Sequence, residues 1–162
     1  MKNITQVRKV DRIVVILIHD NNVLLMYRIN QDKKYYIFPG GGIDAGETHR
    51  EALERECMEE TSIKIKPGRL LYEVDWDHAT KQFFWACSYI EGIPALGDFN
   101  EREAMKDGTQ FYDPQWIPTS QLKELLIYPL EIRDLIIHDI KNNFTTEKRD
   151  IYLEINTCRQ SI

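Results

Sequence analysis

Residues 41–63, GGIDAGETHREALERECMEETSI, carry seven carboxylates (Asp44, Glu47, Glu51, Glu54, Glu56, Glu59, Glu60) against two arginines, Arg50 and Arg55. On a helix, 100° per residue brings Glu56, Glu59 and Glu60 within an arc of about 100°. Leu53 and Cys57 lie beside that arc, so the carboxylates sit at the edge of the buried face. Such a cluster is locally unfavourable. Like charges at i,i+3 and i,i+4 cost a helix roughly 0.2–0.5 kcal/mol each, and Glu59 and Glu60 fall in the last turn, where the helix dipole favours cations. Arg55 reaches Glu51 or Glu59 at i,i+4, but one guanidinium cannot neutralise the group. Bound Mg²⁺ or Mn²⁺ offsets both penalties, because hard cations take oxygen ligands and keep water positions open to a phosphate. An acidic run alone is ordinarily a solvated helix face; the ordered spacing of the whole segment is what distinguishes this one.

The elements around the cluster are legible in outline. Thr48 and Glu51 fit a capping box that starts the helix, which is predicted to run to about Thr61. Ile63, Ile65 and then Pro67-Gly68 mark a change after it. Ile13 to Ile18 is an unbroken aliphatic run, which predicts a strand buried on both faces. Asp20, Asn21 and Asn22 supply a turn, and Val23 to Tyr27 resume a strand, giving a hairpin. Tyr35 to Phe38 forms a further short strand that runs into Pro39 and the glycines 40–42. Leu70 to Trp76, Gln82 to Ile90 and Phe111 to Ile117 are expected strands, with a loop across 92–108. Leu122, Leu125 and Leu126, then Ile132, Leu135, Ile136 and Ile140, have helical spacing. In 143–162, Ile151, Leu153 and Ile155 alternate, as an added strand or a tail. Strands before and between helices predict a layered α/β domain, and nothing divides the 162 residues, so one domain over 1–162 is expected, with its core at about 10–140.

Composition narrows the function classes. The chain is 43% hydrophobic, enough for a real core, and carries a formal charge of -5 from 26 acidic and 21 basic residues. A protein that tracks a polynucleotide backbone usually presents a basic face, so a polymeric nucleic-acid partner is not expected. Three cysteines (Cys57, Cys87, Cys158) with no CxxC pair argue against a disulfide framework and for a reducing, cytoplasmic location. No apolar run approaches the ~20 residues that span a bilayer.

The spacing of residues 41–63 resembles the Nudix (MutT-like) box: Gly, five residues, Glu, seven residues, then Arg-Glu-apolar-x-Glu-Glu-x-Gly-apolar. Gly41, Glu47, Arg55, Glu56, Cys57, Glu59, Glu60 and Ile63 stand in register. One position departs: Ser62 replaces the last glycine, which requires a left-handed serine or a relaxed turn. The preceding YIFPGGGI and the later stretch around Trp116-Ile117-Pro118 and Leu122 also look like family elements, extending the resemblance to about residues 10–140. It implies an α/β/α sandwich around a central mixed sheet and hydrolysis of a phosphoanhydride bond in a nucleoside diphosphate derivative or triphosphate. By the same resemblance, Glu56, Glu59 and Glu60 with the Gly41 backbone hold Mg²⁺ or Mn²⁺, and Arg55 orients the carboxylates by pairing with Glu47 or a neighbour. Glu59 is the first candidate for general base, with Glu101 and Glu103 on the long loop as alternatives.

Two residues outside the box are candidates for substrate contact: Arg28 at a strand end for a phosphate, and Trp76 for stacking on a base. Asp75 to His78 also reads as a polar turn. None of the four histidines has metal-site spacing. Three functional classes compete: a small-molecule pyrophosphohydrolase, a non-hydrolytic nucleotide sensor that regulates a partner, and an RNA 5′-end hydrolase. The nearly intact box favours the first over the second, and the acidic charge favours it over the third. The resemblance also implies a homodimer, with the aromatic strand and carboxy-terminal tail as candidate contacts.

Overall fold

The computed structural model describes residues 10–76, 78–97, 99–145 and 147–154, with the backbone alone at 99–101. Strand β1, Arg12–His19, shows why an all-aliphatic run is needed. Its Ile13, Val15 and Leu17 pack with Ala52, Leu53 and Cys57 of helix α1, His49–Thr61. Its Val14 and Ile16 point the other way and pack with Ile132 and Ile136 of helix α3, Leu130–Lys141. Alternation along one strand thus faces two helical layers, and both faces must be apolar.

The other strands are β2 (Asn22–Asn30), β3 (Lys33–Ile37), β4 (Gly40–Gly42), β5 (Lys64–Trp76), β6 (Thr80–Glu91), β7 (Gln110–Pro118), β8 (Ile127–Tyr128) and β9 (Arg149–Leu153). They join in the order β8-β3-β2-β1-β6-β5-β9, with β4 added to β1 and β7 to β2. The sheet is mixed: β1/β6, β3/β8 and β5/β9 are parallel, and the other pairs are antiparallel. This is the expected α/β/α sandwich. The β1–β2 hairpin turns through Asp20 and Asn21, both at positive φ, as a two-residue turn between right-twisted strands demands.

Four expectations needed adjustment. Strand β5 begins at Lys64 rather than at Leu70; it runs through Pro67-Gly68 with a bulge, where Arg50 on α1 donates to the carbonyls of Pro67 (2.7 Å) and Gly68 (3.1 Å). The loop across 92–108 contains a short helix, α2, Phe99–Ala104. Leu122 is buried in a 3₁₀ turn, Thr119–Glu124, after which Leu125 and Leu126 lead into β8 rather than continuing a helix. The ambiguous end resolves as β9, an added strand carrying Ile151 and Leu153 along the edge of β5; Ile155 lies outside the described residues. No helix among the described residues is long and apolar enough to cross a membrane.

Candidate active site

Helix α1 is held at both ends by its own sequence. Thr48 accepts from the Glu51 N–H at 3.3 Å while the Glu51 carboxylate accepts from the Thr48 N–H at 2.8 Å, the reciprocal pair the sequence predicts. At the other end Ser62 takes the left-handed conformation (φ 58°), its N–H closes on the Met58 carbonyl, and its hydroxyl donates to the Ala95 carbonyl at 3.0 Å. The serine therefore does what the glycine of the motif would do. The strain of a left-handed serine, ~1–2 kcal/mol, is partly offset by that hydroxyl bond. Ala52, Leu53, Cys57 and Thr61 are buried against the sheet, which leaves the carboxylates along the helix edge.

One guanidinium organises them. Arg55 grips Glu47 with two parallel bonds (Nε–Oε1 2.7 Å, Nη2–Oε2 2.8 Å). It also donates to Glu56 at 2.7 Å, Glu59 at 3.3 Å and the Gly42 carbonyl at 3.0 Å. The fork on Glu47, with a further bond from the Asp44 N–H, holds that carboxyl down to about 2. Glu56 moves the opposite way: burial lifts it above the usual carboxylate range, and the contact with Arg55 only partly counters this.

The glycine strand closes the site from below. A side chain at Gly40 would strike the Ile13 carbonyl, and its φ of 154° is one that other residues rarely adopt. The Gly40 N–H donates to Glu60 at 2.9 Å. A Cβ at Gly41 would lie 2.2 Å from the Glu56 carboxyl carbon, so only a bare backbone lets that carboxylate approach. Tertiary structure thus brings Glu47, Arg55, Glu56, Glu59, Glu60 and residues 40–42 together. With Glu56 and Glu59 turned onto Arg55 and Glu60 onto Gly40, no three acidic, histidine or cysteine side chains among the described residues form a ready metal cage.

Other predicted residues fall elsewhere. Arg28 donates to the Tyr112 hydroxyl at 2.9 Å and lies over the rings of Tyr112 and Tyr35, and none of these contacts is to α1 or the glycine strand. Glu103 pairs with Lys106 at 2.5 Å; the Glu101 side chain lies outside the described residues. Cys57 is fully buried, its thiol pushed up to about 11 by that burial, which fits a core residue rather than a nucleophile. Asp75 makes a turn by accepting from the His78 N–H at 2.7 Å.

Trp76 lines a cavity of about 260 Å³ beside the glycine strand, with Phe38, Phe84, Val14, Arg12, Gln82 and Gly40 among its walls. Sequence reasoning missed Arg12, Gln82 and Phe38 as cavity residues. The wall depends on parallel pairing of β1 with β6, some seventy positions apart, for which the chain carries no local signal.

The NUDIX domain family matches the chain over residues 8–136. An RNA pyrophosphohydrolase from Pelagibacter ubique is 29% identical over 124 residues, 70% of this chain and 78% of that protein. The NAD-capped RNA hydrolase NudC of Vibrio parahaemolyticus is 26% identical over 110 residues, 68% of this chain but only 39% of that protein. An ADP-ribose pyrophosphatase from Streptococcus suis superposes with a TM-score of 0.61 over 88% of this chain and 97% of its own, at 11% identity, a likeness of fold alone. Most of the chain is matched, including the whole of the capped helix and its glycine strand: the chain belongs to the NUDIX family and hydrolyses a pyrophosphate bond.

Proposed function

We propose that the chain is a Mg²⁺- or Mn²⁺-dependent pyrophosphohydrolase of a small nucleotide-like molecule. The carrying observation is an excess of carboxylates around one arginine, sharing Gly40 with an aromatic cavity. The donors available to a metal are all hard oxygens, and the bare Gly41 backbone admits the Glu56 carboxylate, so the residues suit such an ion. Glu56, Glu59 and Glu60, with the Gly41 backbone, would hold it once Glu56 and Glu59 turn from Arg55. Bound metal would neutralise phosphate charge and lower the pKa of a water.

The rest of the chemistry falls to the chain itself. Glu59, more exposed than Glu56, is our candidate to accept the proton of the attacking water at a carboxylate oxygen. Arg55, anchored on Glu47, is a positioning residue for the glutamates. The cavity lies just below the ~300–1,000 Å³ typical of small-molecule pockets, a size that suits one base against Trp76, Phe38 and Phe84. Among the described residues the buried Trp76 indole N–H has no hydrogen-bond partner.

A second reading, hydrolysis at the 5′ end of an RNA, is favoured by the names of two relatives. The net charge of -5 weighs against a long polynucleotide. Buried, unpaired Cys57 and Cys87 support a reducing compartment. Exposed Tyr152 on the edge strand β9 supports a homodimer contact at that end.

The test is a substrate panel with Mg²⁺ or Mn²⁺. It includes nucleoside triphosphates, ADP-ribose, sugar nucleotides, dinucleoside polyphosphates, and triphosphorylated and NAD-capped oligonucleotides. Metal-dependent turnover of a small nucleotide, lost in Glu59→Gln, is expected. Turnover of the oligonucleotides alone establishes the RNA reading instead.

A further inference from the structure

Arg12 stands where the carboxylate cluster and the aromatic cavity meet. Arg12 and Val14 alternate on one face of β1, in register with Gln82 and Phe84 of β6, and all four line the cavity. On its other side β1 pairs with the glycine strand, Arg12 opposite Gly42 and Val14 opposite Gly40. Gly40 joins the two features directly: its N–H donates to Glu60 at 2.9 Å, and its carbonyl accepts from Arg12 Nη2 at 3.3 Å. The positive charge of Arg12 also reaches the Glu56 carboxyl.

Arg12 uses little of its donor capacity at the junction of the two features. An arginine carries five N–H donors in a planar fork, and the long bond to Gly40 is the only hydrogen bond of this guanidinium among the described residues. The side chain is exposed. Glu56, the nearby carboxylate that would otherwise attract it, is already engaged by Arg55 at 2.7 Å. A cation with a free fork, between an apolar slot and an excess of carboxylate, suits an anion attached to a flat apolar group. Guanidinium matches phosphate oxygens in pairs.

We propose that Arg12 binds the phosphate attached directly to the nucleoside, so that it selects nucleotide over nucleoside and points the diphosphate toward Glu56, Glu59 and Glu60. This rests on the nucleotide-hydrolase reading above. A base seated among Phe38, Trp76 and Phe84 has its sugar end toward Arg12, and the next phosphate then falls on the glutamate side of Gly40.

The experiment compares the wild type with Arg12→Ala and Arg12→Lys on the best small-molecule substrate from the panel. Inhibition constants are measured for the matching nucleoside and its 5′-monophosphate. Arg12→Ala is expected to weaken the monophosphate by about 10- to 100-fold, the loss of a charge-assisted bond, and to leave the nucleoside unchanged. Its KM should rise more than its kcat falls. Arg12→Lys should recover part of the loss, keeping the charge without the fork. Equal weakening of nucleoside and monophosphate would show that Arg12 merely shapes the cavity, and weakening of neither would remove it from the site; both overturn the inference alone. A wild type that turns over no small nucleotide overturns the nucleotide reading, and this inference with it.

Discussion

Each helical layer of the sandwich contains an arginine–carboxylate network, and the two are built in opposite proportions. On α3, Asp139 is 1% exposed but accepts from the Tyr72 hydroxyl at 2.5 Å and from Arg149 at 2.7 Å, with His138 Nδ1 3.1 Å away. Burial pushes its carboxyl up, yet these partners together hold it below the usual range. On α1 a single arginine serves Glu47, Glu56 and Glu59, with Asp44 at 3.8 Å, and Glu56 ends above the usual range. One carboxylate with several donors is a finished structural tie. Several carboxylates sharing one arginine leave negative charge that a further cation neutralises. The same residue types make a clamp in one place and a candidate metal site in the other.

Breaking each network should separate these roles. Glu59→Gln and Glu60→Gln should each lower kcat by about 10²–10⁴-fold while circular dichroism and melting stay those of the wild type. If both variants keep wild-type rates with Mg²⁺, the mechanistic assignment is wrong. Asp139→Ala should cost about 3 kcal/mol in urea unfolding and leave kcat of the folded fraction unchanged. A stability loss confined to the first pair, or a kcat loss in Asp139→Ala, would erase the contrast.

Smaller effects sharpen it. Arg55→Lys loses the two-bond grip on Glu47 and should raise the metal concentration for half-maximal activity by about 10–100-fold, with kcat largely recovered at saturating metal. In acid, Glu47 is a depressed carboxyl, so its stabilising contribution is complete above the ordinary pKa of 4.5 and is lost as pH falls toward about 2. The melting temperature of the wild type should therefore fall more steeply across that window than that of Glu47→Gln. Ser62→Gly relieves the left-handed serine but loses the hydroxyl bond to Ala95 and adds unfolded-state freedom. Its stability should lie within about 1 kcal/mol of the wild type by chemical unfolding.

Much of the site was legible because its instructions are local. Thr48 and Glu51 cap the helix three residues apart, Glu56, Glu59 and Glu60 share an edge by helical period, and Ile13 to Ile18 declare a two-sided strand. The misjudged stretches are those where a distant partner outweighs local preference. Pro67-Gly68 stays within a strand because Arg50 satisfies the carbonyls freed by the bulge. Leu125 and Leu126 leave their helical spacing because Leu126 offers its carbonyl to the Tyr36 N–H at 2.8 Å, beside the β3–β8 pair. Arg28, proposed for a phosphate on its charge, lies within β2 over the rings of Tyr35 and Tyr112, contacts that no local pattern announces.

By itself, then, the sequence determined the capped acidic helix and the register of its glutamates, and hence the family and reaction class, since spacing within 23 consecutive residues specifies them; that the glycine run before it forms a strand on β1 came only from the tertiary pairing. Only the tertiary structure decided which groups line the cavity that shares Gly40 with those glutamates. Arg12, Gln82, Phe38 and Trp76 become neighbours through parallel and antiparallel pairings among strands far apart in the chain. Such register is set by burying both faces of β1 at once, a condition that no short segment contains.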